Sequence, residues 1–252
     1  MVTPAERLAL GLVNVERTRL INVAGAEVVE IDGLVLALTN QPDPALNSVV
    51  VESEPADAAA ALERARHEFA IRHQALGIEL QVGRHPSVDR VVRDEGLRLI
   101  LERPGMVADL IELRAAVPPP GAEIRAVEDE GGAEALVRVD LEAFGGDPAV
   151  AKAVHGAGAF GVPHKRSFVA WERGEPVGTA SGFLHEGAVG VMGVGVVEGE
   201  RRRGVGAALT TAAAQAFPGA DLAWLQPSTM ALGMYRSLGF EEVSHWEVWV
   251  ES

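Results

Sequence analysis

Residues 199–210 read GERRRGVGAALT: Arg201, Arg202 and Arg203 stand against a glycine pair, Gly204 and Gly206, where an apolar helix-forming run begins. Arginine presents a rigid fork of donors that matches phosphate oxygens. Val205, Gly206 and Ala207 lie in the opening turns of a helix that begins near Arg203, and the first N–H groups of a helix lack an intrahelical partner. With the helix dipole they form an anion site. Gly204 and Gly206 remove side chains where an anion would meet the main chain. A glycine-rich strand, GVGVV, leads into this turn and carries Val194, Gly195 and Val196. The chemistry suited to such a stretch is the binding of a diphosphate. Its spacing excludes two familiar loops. Glu198 stands where a dinucleotide fingerprint needs its last glycine, and no Gly-Lys-Ser/Thr follows as in a nucleotide-triphosphate loop.

About thirty residues downstream come Ala231, Tyr235, Leu238, Gly239 and Phe240, in the pattern A-x-x-x-Y-x-x-L-G-F. Arg201-x-x-Gly204-x-Gly206 followed by this segment resembles the GNAT superfamily of N-acetyltransferases. The resemblance covers residues 122–252. It implies that the arginine–glycine turn holds the pyrophosphate of acetyl-CoA and that the strand 194–196 bonds the pantetheine arm through its main chain. It implies that Tyr235, the only tyrosine in the chain, is the general acid that protonates the leaving thiolate. Ser228 stands where the family often has an asparagine contacting coenzyme A; its hydroxyl could do the same, or cap the following helix. The acceptor implied is a small-molecule or peptide amine, attacked directly without a covalent enzyme intermediate. Residues 144–166, rich in Gly, Pro and Ala, read as a long loop in the region that lines the family's acceptor site.

Other candidates carry less. Glu198, Glu186, His185 and Glu142 are carboxylates or imidazoles that could deprotonate an amine, and none is singled out as the base. Gly193 and Gly195 interrupt a strand, which points to a bulge or a close ligand approach. HEFAIRH spaces His67 and His73 six apart, so they do not share a helix face and no metal site is expected. GTASG lacks the serine position of a nucleophile elbow.

These residues need elements to hold them. In 121–252 the pattern predicts a strand, a helix, three strands, a helix from Arg203, a strand, a helix and closing strands. Residues 1–120 predict an opening helix over 4–20, then three strands with a hairpin turn at Asp32-Gly33. A helix follows with Ala58, Leu62, Ala65, Phe69 and His73 on one stripe, and then strand, helix, strand. Three strands, helix, strand, helix, strand therefore occurs twice. Pro118, Pro119, Pro120 and Gly121 place the boundary between domains 1–120 and 121–252. The fold class expected is α/β (α+β): tandem GNAT-like units, each a mixed, mostly antiparallel sheet flanked by helices. The first copy departs from the pattern at its critical turn, where Glu52, Glu54 and Asp57 would repel a diphosphate.

Composition narrows the partners. Net charge is −14 over 252 residues. Residues 1–120 hold 12 Lys and Arg against 18 Asp and Glu, and residues 121–252 hold 10 against 18. Neither half suits nucleic acid or an anionic membrane surface. The opening residues carry charges every few positions and read as neither signal peptide nor anchor. With no cysteine there is no disulfide or thiolate metal site, which fits a cytoplasmic setting.

Overall fold

The computed structural model describes residues 2–21, 23–39, 46–156, 160–162 and 164–251. Contacts divide the chain into two units, Met1–Gly105 with Val243–Ser252, and Met106–Glu242. The first unit holds helices α1 (Pro4–Thr18), α2 (Ala58–Ala70) and α3 (Pro86–Asp94), with strands β1 (Glu27–Ile31), β2 (Leu34–Leu38), β3 (Ser48–Val51) and β4 (Gly77–Gln81). Strand β5 (Arg98–Asp109) begins in it. The second unit holds β6 (Ala122–Ala126), α4 (Glu130–Phe144), α5 (Pro148–His155), β7 (Lys165–Glu172), β8 (Glu175–His185), β9 (Ala188–Val196), α6 (Val205–Ala214), β10 (Leu222–Leu225) and α7 (Leu232–Leu238). Strand β11 (Glu241–Val250) closes the chain.

In the first unit β1, β2 and β3 form an antiparallel meander. β3 then pairs in parallel with β4, and β11 lies antiparallel on the other side of β4. The hairpin at Asp32-Gly33 forms as expected. Both residues have positive φ, 43° and 84°, which matches the turn to the strand twist. Ala58, Ala61, Leu62, Ala65 and Phe69 of α2 face a core built with Leu36, Ile78 and Val88. His73 is not on that stripe. The helix stops at Ala70, and His73 is exposed in the turn beyond it, at φ 56°.

In the second unit β5 (from Met106), β10, β9, β8, β7 and β6 lie in that order. Among the described residues β9 pairs in parallel with β10, and the other neighbours pair antiparallel. Hairpins at Arg173-Gly174 and Glu186-Gly187 again use positive φ. Leu209 and Ala213 of α6 and Leu238 of α7 share one core with Ala180 and Ala223 of the sheet. Ala135 and Leu136 of α4 cover Val169 on the other face. Each unit thus has the mixed, mostly antiparallel sheet flanked by helices that the sequence pattern implies.

Two features differ from the pattern. Residues 144–166 are not all loop: Asp147 accepts Ala149 N at 2.7 Å and Pro148 opens α5, a proline start that suits a helix. Residues 157–159 and 163 of that stretch lie outside the described residues. The proline run 118–120 lies inside the second unit, as the connection from β5 to β6. The contact division falls at Gly105/Met106 and Glu242/Val243. Its cause is packing. Met106 and Ala108 are buried in the second unit's core, while Trp249 is buried in the first unit's. Among the described residues no helix is long and apolar enough to cross a membrane.

A fragment of residues 121–252 is therefore expected not to melt cooperatively. It lacks Met106–Asp109, the antiparallel partner of β10, and it exposes Trp246 and Trp249, both buried in the full chain. Losing a buried tryptophan costs about 3–5 kcal/mol, against a total stability of about 5–15 kcal/mol. Circular dichroism melts of the fragment and the full chain check this; a sharp transition in the fragment would refute it.

Candidate active site

The site is built on an unfinished ladder. β9 runs parallel to β10 from Ala188↔Leu222 to Gly190↔Trp224 and no further, though β9 continues to Val196. The fully buried Trp224 ring fills the space beside Gly190. A Cβ at 190 would lie 2.4 Å from its Cζ2. Past this point Gly193 takes φ 60°. The register with β8 also shifts between Thr179 and Ser181. The expected bulge is present, and it turns β9 away. Val194, Gly195 and Val196 therefore lie on a stretch with no β10 ladder partner. Gly195 has a second reason to be glycine: its Cβ would meet Phe144 Cε2 at 2.7 Å and Ala143 Cβ at 2.9 Å, at the end of α4.

α6 begins at Gly204, whose φ of 93° suits glycine, with Arg202 at φ 61° shaping the turn before it. No side chain caps this helix. Ala208 N reaches Gly204 O at 3.1 Å, which leaves the N–H groups of Val205, Gly206 and Ala207 without intrahelical partners. Gly206 gives room to Met234, whose Sδ would stand 3.3 Å from a Cβ there. Two glycines of β8 let α6 lie close on the sheet. Cβ atoms at Gly178 and Gly182 would meet Leu209 Cδ1 at 2.7 Å and Ala213 O at 2.5 Å.

The three arginines have different surroundings. Arg203 forms a bidentate pair with Glu172, at 2.9 and 2.8 Å, and also pairs with Glu200. Glu172 has only 5% of its side chain exposed, so Arg203 is the counter-ion of a buried carboxylate. Arg201 Nε donates to Val196 O at 2.9 Å, and its NH2 to Ala143 O at 3.5 Å, tying the turn to the ends of β9 and α4. Arg202 is exposed and makes no hydrogen bond or ion pair among the described residues. Its guanidinium is the free one.

Tyr235 lies on α7 in the core beneath this turn, its ring edge-on to Phe240 at 5.9 Å. Burial pushes its pKa up to about 12, opposed by a hydrogen bond with the Thr210 hydroxyl. Thr210 in turn donates to Gly206 O at 2.8 Å, linking the phenol to the first turn of α6. Ser228 is exposed and its hydroxyl caps nothing. Its carbonyl accepts Ala231 N at 3.0 Å.

The remaining candidates are dispersed. Glu198 is exposed before the arginine turn, and Glu186 sits in the β8–β9 hairpin at the other end of β9. Glu142 lines a cleft of about 660 Å³ on α4 and α5 that includes none of residues 194–207. In the first unit Glu102, His245 and Glu247 bring ligand atoms within 4.8 Å of one another. Glu247 is already held there by Arg93 at 2.6 Å and Trp249 Nε1 at 2.9 Å. Sequence reasoning missed Glu172, Thr210 and Phe144. A buried tyrosine hydroxyl needs a partner, so a hydroxyl residue on the facing helix was the available signal for Thr210.

The corresponding turn of the first unit is closed. Asp57 caps α2, accepting Ala60 N at 3.0 Å. Glu52 is paired with Arg17 at 2.8 Å, and Glu54 accepts Ser87 N at 2.7 Å at the start of α3.

Residues 163–242 match the family model of the acetyltransferase (GNAT) domain, so the second unit carries a GNAT domain. No curated protein matches the chain. Among solved structures, a GCN5-related N-acetyltransferase from Kribbella flavida is similar over 100% of this chain and 96% of its own, at 25% identity and a TM-score of 0.79. A tandem GNAT protein from the clavulanic acid biosynthesis pathway is similar over 96% and 87%, at 14% identity and a TM-score of 0.66. Another GCN5-related N-acetyltransferase, from Sphaerobacter thermophilus, is similar over 87% and 76%, at 17% and 0.66. The first half thus has a counterpart in tandem relatives, and the fold supports acyl transfer.

The arginines predict a split in stability. Arg203→Ala leaves the buried Glu172 carboxylate with only the exposed Arg173, 3.9 Å away, and costs about 2 kcal/mol, between the values for exposed and buried pairs. Arg202→Ala leaves the melting temperature within about a degree, as for an unpaired surface residue. Thermal melts of the two variants decide it.

Proposed function

We propose that the second unit is an N-acetyltransferase that passes the acetyl group of acetyl-CoA to a primary amine of a small molecule or peptide. One observation carries this reading: β9 outruns its β10 partner and leads into a helix whose first N–H groups are uncapped beside an unpaired arginine. The residues suit the ligand. The N–H groups of Val205, Gly206 and Ala207, with Arg201 and Arg202, would hold the diphosphate. On the side away from β8, where β10 gives no ladder partner, the main chain of Val194, Gly195 and Val196 would hold the pantetheine amides, and the exposed Ser228 hydroxyl could join them. Arg203 acts as a positioning residue, fixing the turn through Glu172. The lack of cysteine fits a cytoplasmic enzyme.

When bound, acetyl-CoA supplies a thioester: the amine nitrogen forms a bond to the acetyl carbon, the carbon–sulfur bond breaks, the nitrogen loses a proton and the sulfur gains one. The chain's contribution is mostly positioning, which converts an encounter of two reactants into a step within one complex. Tyr235 keeps its proton at Oη. With a pKa near 12 it is a weaker acid than an alkyl thiol at about 8.5. Its role is therefore to donate a hydrogen bond to the departing sulfur, not to surrender the proton fully. A second reading, a non-catalytic acyl-CoA-binding module, is favoured by the Tyr235–Thr210 hydrogen bond, which already occupies the phenol. Turnover of acetyl-CoA with any amine separates the two.

Calorimetric titration of acetyl-CoA is expected to show one site per chain, because the equivalent turn of the first unit is filled by its own carboxylates. Arg202→Glu should weaken binding about tenfold or more, the worth of one charge-assisted contact, with the melt unchanged. Two sites, or no effect of the variant, would refute this assignment.

Tyr235→Phe should lower kcat by about a hundredfold, the low end for removing a donor aimed at charge that develops in the transition state, with acetyl-CoA affinity kept. Because the pKa is raised, the proton-bearing form persists up to about pH 12. The kcat profile should therefore show no alkaline fall between pH 7 and 10 that Tyr235→Phe removes.

A further inference from the structure

A row of side chains crosses the second unit's sheet. Lys165 of β7 is registered with Phe183 of β8, Phe183 with Gly190 of β9, and Gly190 with Trp224 of β10. Residues directly opposite in a ladder project from the same face. Val169, an even number of residues from Lys165 on β7, packs on Ala135 and Leu136, so this is the face that α4 covers. The next row along holds Ser167, Ser181 and Met192. The two serine hydroxyls are buried and 2.8 Å apart. Met192 immediately precedes the Gly193 bulge, where β9 leaves its partner. Lys165 is thus one row from the place where the ladder opens.

Among the described residues nothing compensates its charge. Lys165 Nζ stands over the Phe183 ring, 5.5 Å from the centroid, and makes no ion pair with any described carboxylate. Burial pulls its pKa down to about 8, the direction of an ammonium that has lost water and gained no anion. The ring quadrupole offsets part of that loss. Lys165 is half-buried, and among the described residues no carboxylate pairs with it, so an anion from solution would be favoured there.

We propose that Lys165 binds a carboxylate of the acceptor, so that the substrates are amines carrying a carboxylate several bonds from the reacting nitrogen. This rests on the acetyltransferase reading above. The spacing sets the length. Adjacent strands are about 5 Å apart and two residues along a strand span about 7 Å. Gly190 faces Phe183, and the bulge lies two to three residues further along β9, so the ammonium over β8 is roughly 9–11 Å from it. That distance exceeds the separation within an α-amino acid and suits an ω-amino acid or a short peptide.

The test compares acetyl transfer to β-alanine, 4-aminobutyrate and 6-aminohexanoate with transfer to the matched amines lacking the carboxylate. Wild type should prefer the longer acids by about tenfold in kcat/KM, the worth of one charged hydrogen bond. Lys165→Met should raise KM for the acids by a similar factor, with kcat and the plain amines within about twofold. Lys165→Arg should recover most of the preference. Tryptophan fluorescence on titrating 6-aminohexanoate into the acetyl-CoA-saturated protein gives a readout independent of turnover. It should report binding by wild type that Lys165→Met weakens. No preference for the acids, an unchanged preference in Lys165→Met, or no binding of the acid would overturn the proposal. Failure of acetyl-CoA itself to bind in calorimetry would overturn the acetyltransferase reading, and this one with it.

Discussion

The parallel ladder between β9 and β10 stops at Gly190 and Trp224, and the geometry of the site follows from that stop. Trp224 is large and wholly buried, and it takes the space a side chain at 190 would need. β9 cannot stay flat beside it. The Gly193 bulge redirects the strand, and bulges increase local twist and end pairing. Main chain that would have been satisfied by β10 is left for another partner. Buried polar main chain without a partner costs free energy, so such an edge is retained where a ligand or water completes it. Arg201, bonded to Val196 O and Ala143 O, then holds the end of the diverted strand.

A second constraint comes from chain connectivity. β5 begins in the first unit and ends beside β10; β11 begins in the second and ends beside β4. The last strand of each repeat thus completes the sheet of the other unit. Met106 and Ala108 bury in one core and Trp249 in the other, so each core draws a strand from the far end of the other repeat's sequence. A proline run ordinarily marks a boundary because it cannot enter helix or sheet. Residues 118–120 obey that rule locally, yet they sit within a unit because the contacts that define units are made by strands far away in sequence.

How much the sequence revealed follows from which interactions are local. Hairpins at Asp32-Gly33 and Arg173-Gly174 were readable because two adjacent residues decide them. The α6 turn was readable because uncapped N–H groups, glycines and arginines are adjacent. The partners of those arginines were not. Glu172 is 31 residues from Arg203, and nothing near either residue announces the pair. Gly195 and Gly206 illustrate the same limit. Their spacing was visible, but Phe144 and Met234, which demand the space, come from other elements. α5 was overlooked because Gly and Pro on both sides suggested loop, although Asp147-Pro148 is a sound helix start.

The two repeats show how one turn can either hold a ligand or close upon itself. In both, a strand of a parallel pair leads into a helix of the same place in the order. α2 starts with Asp57, whose carboxylate takes the Ala60 N–H, and the preceding Glu52 and Glu54 are committed to Arg17 and to the start of α3. Asp57 and Glu54 supply inside the chain the negative charge that a helix N-terminus attracts. α6 starts with Gly204, which supplies none, and the acids that approach its turn, Glu172 and Glu200, are neutralised by Arg203. The positive end of α6 is therefore left open while its neighbouring carboxylates are silenced. An aspartate in the capping position strengthens a helix by about 1 kcal/mol. Its absence from α6 costs that stability and leaves the N–H groups available, the arrangement expected where an anion from solution completes the cap.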